Sequence, residues 1–223
     1  MDDITPGETG AAAATMMITM PPVTAIETAR LRLRCVEPRD AAALAALMTE
    51  QISARLASWP IPYTERMAEE RIQGLRDAAS DGRCLPFVAE RRADGMVCGW
   101  ISIAHAPRDP ETALVTYWLG EAHQRRGLMR EAAPAVVAAG FQALRVARVR
   151  AAVQADNAPS LAITRALGMR PMGKGRIWCP ARGRDEPCLW FELSAPGAMA
   201  EPAAPRDRPP GPAAAAALPG RGA

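Results

Sequence analysis

A short charged loop at residues 124–129 has the residue types of an anion-binding site. Its sequence is Gln124-Arg125-Arg126-Gly127-Leu128-Met129, and it separates an apolar run typical of a strand from a run typical of a helix. A helix N-terminus has backbone N–H groups without internal acceptors and a partial positive charge. Gly127 lets a ligand approach the backbone closely, and the arginines add charge. The loop therefore predicts a phosphate or pyrophosphate pocket, although turn geometry and solubility alone would also favour Gly and Arg here.

The elements that must position this loop follow from the hydrophobic periodicity. We expect strands at 29–36, 85–91, 96–104, 113–119 and 147–154, a final hairpin at 174–181 and 186–193, and helices at 38–48, 50–57, 65–79, 128–144 and 158–167. Three antiparallel strands followed by a β-α-β unit predict an α/β (α+β) fold, with a mixed sheet and helices on its faces. Pro134 is expected to kink the 128–144 helix or to end its first straight segment.

The two ends of the chain differ in composition from its middle. Residues 1–23 are rich in Ala, Thr, Gly and Pro, and residues 195–223 are dominated by Ala, Pro and Gly. Such segments bury too little apolar surface to offset the entropy of ordering. We therefore predict a disordered leader at 1–23, a folded domain at 24–194 and a disordered tail at 195–223. The methionines at 16, 17 and 20 leave open whether the leader is translated.

Composition argues against several classes of protein. A net charge of +3 and an aromatic content of 4% do not indicate nucleic-acid binding. The five cysteines include no C-x-x-C pair and there are two histidines, so no metal site is expected. Reduced thiols, an acidic start at Met1-Asp2-Asp3 and the lack of a membrane-length apolar run together predict a cytoplasmic protein without a membrane partner.

Five segments of the chain resemble the GCN5-related N-acetyltransferases, and within them the branch that acetylates N-terminal alanine or serine of ribosomal proteins. The segments cover about 26–194, and are Glu27–Arg34, Trp59-Pro60-x-Pro62-Tyr63-Thr64, Tyr117-Trp118-Leu119-Gly120, Gln124-x-x-Gly127-Leu128-Met129, and Asn157-Ala158-Pro159-Ser160 with Leu167-Gly168-Met169. Each motif is modest alone, and their shared order makes the resemblance specific. It implies a mostly antiparallel sheet that splays between its fourth and fifth strands.

The resemblance also implies acetyl-CoA as the donor, with its pyrophosphate on the loop residues Gln124, Arg125, Arg126, Gly127, Leu128 and Met129. The pantetheine would run between the splayed strands, where Trp118 and Leu119 would offer backbone groups. Arg125 stands where relatives often have Gly, and we interpret it as a phosphate contact because Arg suits phosphate recognition.

The resemblance gives candidates for catalysis at the start of the 158–167 helix. Many relatives have a tyrosine seven residues after the Asn, where this chain has Thr164, and others use a serine, which maps to Ser160. Ser160 is thus the candidate acid for the leaving thiolate, or a helix-capping residue. Asn157 is a candidate cofactor contact, or an N-cap. The base is left open between Glu111, His105 and a chain of water molecules.

The implied activity is transfer of an acetyl group from acetyl-CoA directly to a primary amine. The acceptor is a protein N-terminus such as that of a ribosomal protein, or a small molecule, and Trp59 and Tyr63 are candidates to line its groove. The protein would act as a monomer or homodimer. The alternative is a catalytically silent acyl-CoA-binding module of the same fold. A Rossmann-type domain is disfavoured because no G-x-G-x-x-G is present.

Overall fold

The computed structural model describes residue 23 and residues 25–197. Its strands are β1 (Ala25–Glu27), β2 (Leu31–Cys35), β3 (Cys84–Arg91), β4 (Val97–Ala106), β5 (Asp109–Leu119), β6 (Arg148–Val153), β7 (Arg170–Cys179) and β8 (Arg184–Ser194). Its helices are α1 (Ala41–Leu47), α2 (Glu50–Ser53), α3 (Glu65–Ser80), α4 (Leu128–Ala143) and α5 (Ala158–Ala166). The predicted leader and tail lie outside the described residues except at 23 and 195–197, so these assignments stay predictions.

The strands form one mixed sheet in the order β1-β2-β3-β4-β5-β6-β8-β7. Every neighbouring pair is antiparallel except β5 and β6, which are parallel and are joined through α4. This confirms the predicted fold class. The short strand β1 was not predicted. When it is counted, the splay expected between the fourth and fifth strands lies between the fifth and sixth.

The sheet opens between β5 and β6. The two strands pair only where Thr112, Ala113 and Leu114 lie opposite Arg148, Val149 and Arg150. Beyond Leu114, β5 continues for five more residues along β4, but no longer along β6. The result is a V-shaped opening that faces the loop before α4.

Two apolar cores cover the two faces of the sheet. Leu33, Phe87, Ile101 and Val115 pack with α4, and residues of α5 join this core from its edge. The alternate residues of the same strands, such as Val88, Trp100 and Trp118, pack with α1 and α3 on the other face. This separation follows from the two-residue side-chain period of a strand, and it places helices on both faces as predicted.

The contact between α4 and β4 is especially close at Gly140. A Cβ atom at this position would overlap the Ile103 side chain. The glycine therefore lets the C-terminal turn of α4 lie close to β4.

Several boundaries differ from the sequence expectations. Residues 38–40 form a 3-10 turn rather than the start of α1, and α2 is a single turn that ends at Ser53. Strand β7 begins at Arg170 because pairing with Glu192 of β8 overrides the Pro and Gly signals at 171–175. The helix α4 continues through Pro134 to Ala143, and the kink expected at Pro134 stays a prediction. No helix among the described residues is long and apolar enough to cross a membrane.

Candidate active site

The loop before α4 has the backbone conformation that an anion cradle requires. Gly127 is the N-cap of α4 and has a left-handed backbone, with φ of 74°. Arg125 is also left-handed, with φ of 60°. A left-handed residue at this point turns the chain so that the first N–H groups of α4, which have no partner within the helix, point out of the loop. The exposed side chains of Arg125 and Arg126 add positive charge around them.

The apolar residues of the loop anchor it to the core. Leu128 and Met129 are buried in the core between α4 and the sheet. Their side chains are therefore unavailable to a ligand, and only their backbone N–H groups can serve it. Gln124 contributes differently, because its Nε2 donates to the carbonyl of Leu119 at 2.9 Å and ties the loop to the end of β5.

Arg30, in the turn between β1 and β2, clamps this loop from the other side. Its Nη1 donates to the carbonyl of Arg126 at 2.9 Å, and its Nε donates to Glu131 Oε2 at 2.7 Å. Glu131 Oε1 also accepts from Thr28 Oγ1 and from the Arg30 backbone N–H. These bonds outweigh the effect of burial and lower the pKa of Glu131. Arg30 Nη2 lies 3.5 Å from the place where a Cβ of Gly127 would be.

The free edge of β5 presents alternate backbone groups to the V-shaped opening. The N–H of Gly120 donates to Cys98 O, so the hydrogen-bonded pairs with β4 fall on the even-numbered residues of β5. The backbone groups of Tyr117 and Leu119 therefore face the opening. Those of Trp118 are used in the β4 ladder, and this corrects the expectation that Trp118 offers its backbone to the pantetheine. The Leu119 N–H faces the opening, whereas its carbonyl already accepts from Gln124.

The start of α5 faces the same opening. Asn157 caps the helix, because its Oδ1 accepts from the Ser160 N–H at 3.2 Å. The Ser160 Oγ does not cap and instead lies 2.9 Å from Tyr117 Oη. Thr164, at the position of the tyrosine common in relatives, is fully buried, and its hydroxyl donates to Leu161 O. Of the hydroxyls considered on this helix, Ser160 is thus the one placed at the opening.

Glu111 lies at the wrong end of β5 to act with Ser160. It is six residues from Tyr117, roughly 20 Å along an extended strand. Its carboxylate accepts from Arg148 Nη2 at 3.0 Å beside the closed end of the sheet. His105 lies at the same end, where its Nδ1 contacts Pro110 O. This distance removes Glu111 from the catalytic set. The sequence placed it in or next to the loop before the 113–119 strand and gave no distance to the 158–167 helix.

Trp59 and Tyr63, expected to line the acceptor groove, lie in the core between the sheet and α3. Trp59 is 1% exposed and packs edge-on against Trp118, with ring centroids 5.1 Å apart. The Arg71 guanidinium lies 4.4 Å from the Trp59 ring centroid, and Tyr63 packs on the same ring at 5.0 Å. Acceptor contact by Trp59 and Tyr63 therefore stays a prediction, and their observed contacts are those of core residues.

A groove of about 650 Å³ lies away from this opening, beside β2 and the start of α1. Its charged lining includes Arg34, which bonds Asp40 at 2.7 and 2.8 Å and Glu90 at 2.7 Å. Because these charges satisfy one another, the groove has a structural explanation and is not a candidate site.

The sequence reasoning missed Arg30 and Tyr117. Tyr117 follows Ala113 and Val115 on one face of β5. A hydroxyl group in that otherwise apolar row was the signal that could have marked Tyr117 as a site residue. Arg30 and Glu131 are 101 residues apart, so no local pattern could have joined them. Among the described residues, no group of His, Cys, Asp and Glu is arranged to hold a metal ion.

The geometry of the site is typical of one class of protein. A sheet that splays beside a helix N-terminus with a left-handed glycine gives an anion cradle next to a slot lined by free backbone groups. Such a site fits a ligand with a pyrophosphate at one end and an amide-containing arm, and this is the chemistry of an acyl-CoA.

Comparison with known proteins identifies the family. Residues 30–170 match the model of the acetyltransferase (GNAT) domain. A curated relative, the uncharacterized N-acetyltransferase p20 of Bacillus licheniformis, is 27% identical over 167 residues, which is 74% of this chain and 93% of that protein.

Solved structures share the fold. Mycobacterium smegmatis RimJ, in complex with CoA-disulfide, has a TM-score of 0.65 and 25% identity, covering 78% of this chain and 88% of that one. The ribosomal-protein-S5-alanine acetyltransferase of Vibrio fischeri has a TM-score of 0.67 and 20% identity, covering 76% of this chain and 96% of that one.

The chain belongs to the GCN5-related N-acetyltransferase family. It is an acetyl-CoA-dependent N-acetyltransferase that transfers the acetyl group to an amine, and the silent-module alternative is not favoured.

Proposed function

We propose that this acetyltransferase modifies the N-terminal amine of a protein by direct transfer from acetyl-CoA. The support comes from two sources. Solved relatives with this fold act on ribosomal proteins, and no hydrogen bond within the described residues joins a carboxylate or an imidazole to the Tyr117–Ser160 hydroxyls.

The second observation carries the choice of amine. An α-amine has a pKa of about 8, so roughly a tenth of it is neutral at pH 7, whereas a lysine amine, with a pKa of about 10.4, is less than a thousandth neutral. Only the neutral amine is nucleophilic. An N-terminal amine therefore reacts at neutral pH with less need of a general base than a lysine or a polyamine.

The remaining roles follow from the placement of each group. The N–H groups at residues 125–129 hold the pyrophosphate, with the Arg125 and Arg126 side chains around it. The free backbone groups of Tyr117 and the Leu119 N–H receive the pantetheine and the thioester carbonyl. Asn157 caps α5 and so fixes Ser160, whose hydroxyl protonates the leaving thiolate.

The test is release of CoA with matched acceptors. Three probes are a peptide with a free N-terminal alanine or serine and no lysine, the same peptide with its N-terminus acetylated and an internal lysine, and spermidine. We expect turnover with the first, with kcat/KM rising through an apparent pKa of about 8 as the amine loses its proton. Preference for spermidine or for the lysine peptide would contradict the N-terminal acceptor.

The same assay separates the enzyme from a silent binding module. Calorimetry gives acetyl-CoA affinity independently of turnover. Tight acetyl-CoA binding without CoA release for any of the three acceptors, or for a wider panel of amines, would favour the silent module.

A further inference from the structure

The Tyr117 side chain bridges the two elements that border the V-shaped opening. It projects from the half of β5 that no longer pairs with β6. Its Oη lies 2.9 Å from Ser160 Oγ and 3.4 Å from the Ser160 carbonyl in α5. Both side chains are half-buried, so the hydroxyl pair is sheltered but not sealed inside the core. The tyrosine is therefore in direct contact with the residue assigned above as the acid.

A serine hydroxyl has a chemical shortcoming as the acid in this reaction. A thiol has a pKa of about 8.5 and a phenol one of about 10, whereas an alkanol such as serine is a far weaker acid than either. Serine alone would have to become an alkoxide to protonate a thiolate. A phenol hydrogen-bonded to the serine oxygen removes this difficulty, because the charge then ends on the phenol.

The tyrosine is held in the form that this role needs. Burial raises the pKa of Tyr117, and the hydrogen bond with Ser160 opposes that effect only in part. The phenol therefore keeps its proton at neutral and mildly alkaline pH. Within the described residues, no charged side chain makes an ion pair or a hydrogen bond with Tyr117.

We propose that Tyr117 is a positioning residue for acetyl transfer, which donates a hydrogen bond to Ser160 Oγ and supplies through it the proton taken up by the leaving sulfur. The inference rests on the proposed function of Ser160 and deepens it. As the amine nitrogen bonds to the carbonyl carbon, the carbon–sulfur bond breaks. The sulfur takes the Ser160 hydroxyl proton, Ser160 takes the Tyr117 proton, and the phenolate regains a proton from the ammonium group formed or from solvent.

The first test needs no acceptor. A relay that donates a hydrogen bond to sulfur lowers the pKa of the thiol of bound CoA, so CoA should bind more tightly than its desulfo analogue as pH rises. We expect the affinity ratio of the two to grow between about pH 7 and pH 9, by up to about tenfold for each pH unit by which the thiol pKa is lowered. Calorimetry on the full chain measures both ligands.

Three variants and one control make this test specific. Tyr117→Phe, Ser160→Ala and the double variant should each give a ratio that no longer changes with pH. Thr164→Val removes a hydroxyl one turn further along α5 that, among the described residues, bonds Leu161 O, and the variant should behave as the wild type. A ratio independent of pH in the wild type, or an unchanged pH dependence in Tyr117→Phe, would overturn the inference.

Turnover with the N-terminal peptide separates this inference from the proposed function. We expect Tyr117→Phe to lower kcat by about 10- to 100-fold with acetyl-CoA affinity within about twofold. The double variant should lose no more than the worse single variant, since the two hydroxyls act as a unit. Wild-type turnover in Ser160→Ala would remove the acid from the proposed function. Impaired turnover in Ser160→Ala together with wild-type turnover in Tyr117→Phe would overturn only the relay. A Tyr117→Phe variant that loses acetyl-CoA affinity and thermal stability along with its turnover would also overturn only the relay, because such losses indicate a structural role.

Discussion

At the scale of single residues, Gly127 controls the anion cradle. Its φ of 74° lies in the left-handed region, which costs other residues about 1 kcal/mol or more. A side chain here would also stand beside Arg30 Nη2 and in front of the N–H groups that a pyrophosphate needs. The position therefore combines a backbone requirement with a need for open space.

Gly127→Val should raise the Kd for acetyl-CoA at least about tenfold while the fold is kept. Gly82→Val is the matched control, because Gly82 also has a left-handed backbone, with φ of 68°, and has no atom within 4 Å of a Cβ. The control should lose similar thermal stability without losing affinity. Equal acetyl-CoA affinities for the two variants, measured by calorimetry, would refute the assignment of the loop.

At the scale of elements, the turn between β1 and β2 holds the entry of α4. Arg30 bonds both the loop carbonyl of Arg126 and the first-turn carboxylate of Glu131. The contact fixes the loop and also neutralises a carboxylate that would otherwise repel phosphate near a helix N-terminus.

Arg30→Ala should weaken acetyl-CoA binding by about tenfold, or 1.4 kcal/mol, because the loop loses its clamp and Glu131 loses its counter-charge. Arg32→Ala is the control, since Arg32 is exposed on the next strand and pairs with Glu27 at 3.4 Å. We expect that variant to bind like the wild type. Acetyl-CoA affinities that do not separate Arg30→Ala from Arg32→Ala would show that the clamp does not serve the ligand.

A second element-scale contact ties the β7–β8 hairpin to α2. Arg182 donates to both oxygens of Glu186 at 2.6 and 2.8 Å and to Ser53 O at 3.1 Å. The hydrogen bonds from Arg182, opposed by burial and aided by Arg184, lower the pKa of Glu186 to about 2. A carboxyl with a lowered folded-state pKa stabilises the fold above its ordinary pKa, and that stability is lost as pH falls toward 2.

Glu186→Gln should therefore lower Tm at about pH 6, and the difference from wild type should shrink as pH falls from about 4.5 to about 2. Glu69→Gln is the control, because Glu69 is exposed on α3 and makes no ion pair within the described residues. Thermal unfolding across this pH range measures the effect. A Tm difference that is constant with pH would mean that the ionised carboxylate of Glu186 does not stabilise the hairpin.

At the scale of the whole molecule, the last strand of the sheet ends at residue 194. Strand β8 pairs with β6 up to Ser194, and the Ala195 N–H donates to Ala147 O at 2.9 Å. At the other end, Ala25 already pairs with Arg34. The elements around the V-shaped opening are thus all contained within 25–194.

A chain trimmed to residues 24–194 should keep its Tm within a few degrees and its acetyl-CoA affinity within about twofold, because among the described contacts it loses one hydrogen bond worth about 1 kcal/mol and the packing of the half-buried Val23 against the core. Thermal unfolding and calorimetry on the trimmed and full chains measure this. A large loss in either quantity would show that residues 1–23 or 195–223 contribute to the fold or to the site.

The strand–loop–helix junction at 113–144, the order of the elements after β1 and the resemblance to the family could all be predicted from the sequence alone. Period-two and period-3.6 patterns and the Gly127 and Asn157 signals are local, so they survive without tertiary information. The same patterns placed Glu111 in or next to the loop before the 113–119 strand, and they could not measure its distance from Ser160.

The groups that meet at the opening could not be predicted from the sequence, because they are brought together by long-range packing. The pairing of β5 with β4 turned the Trp118 backbone away from the slot and the Tyr117 backbone toward it. The return of α5 to the sheet brought Ser160 to Tyr117 across 43 residues. Hydrogen-bond parity and long-range packing depend on register, and register is set by contacts between distant segments rather than by any local pattern.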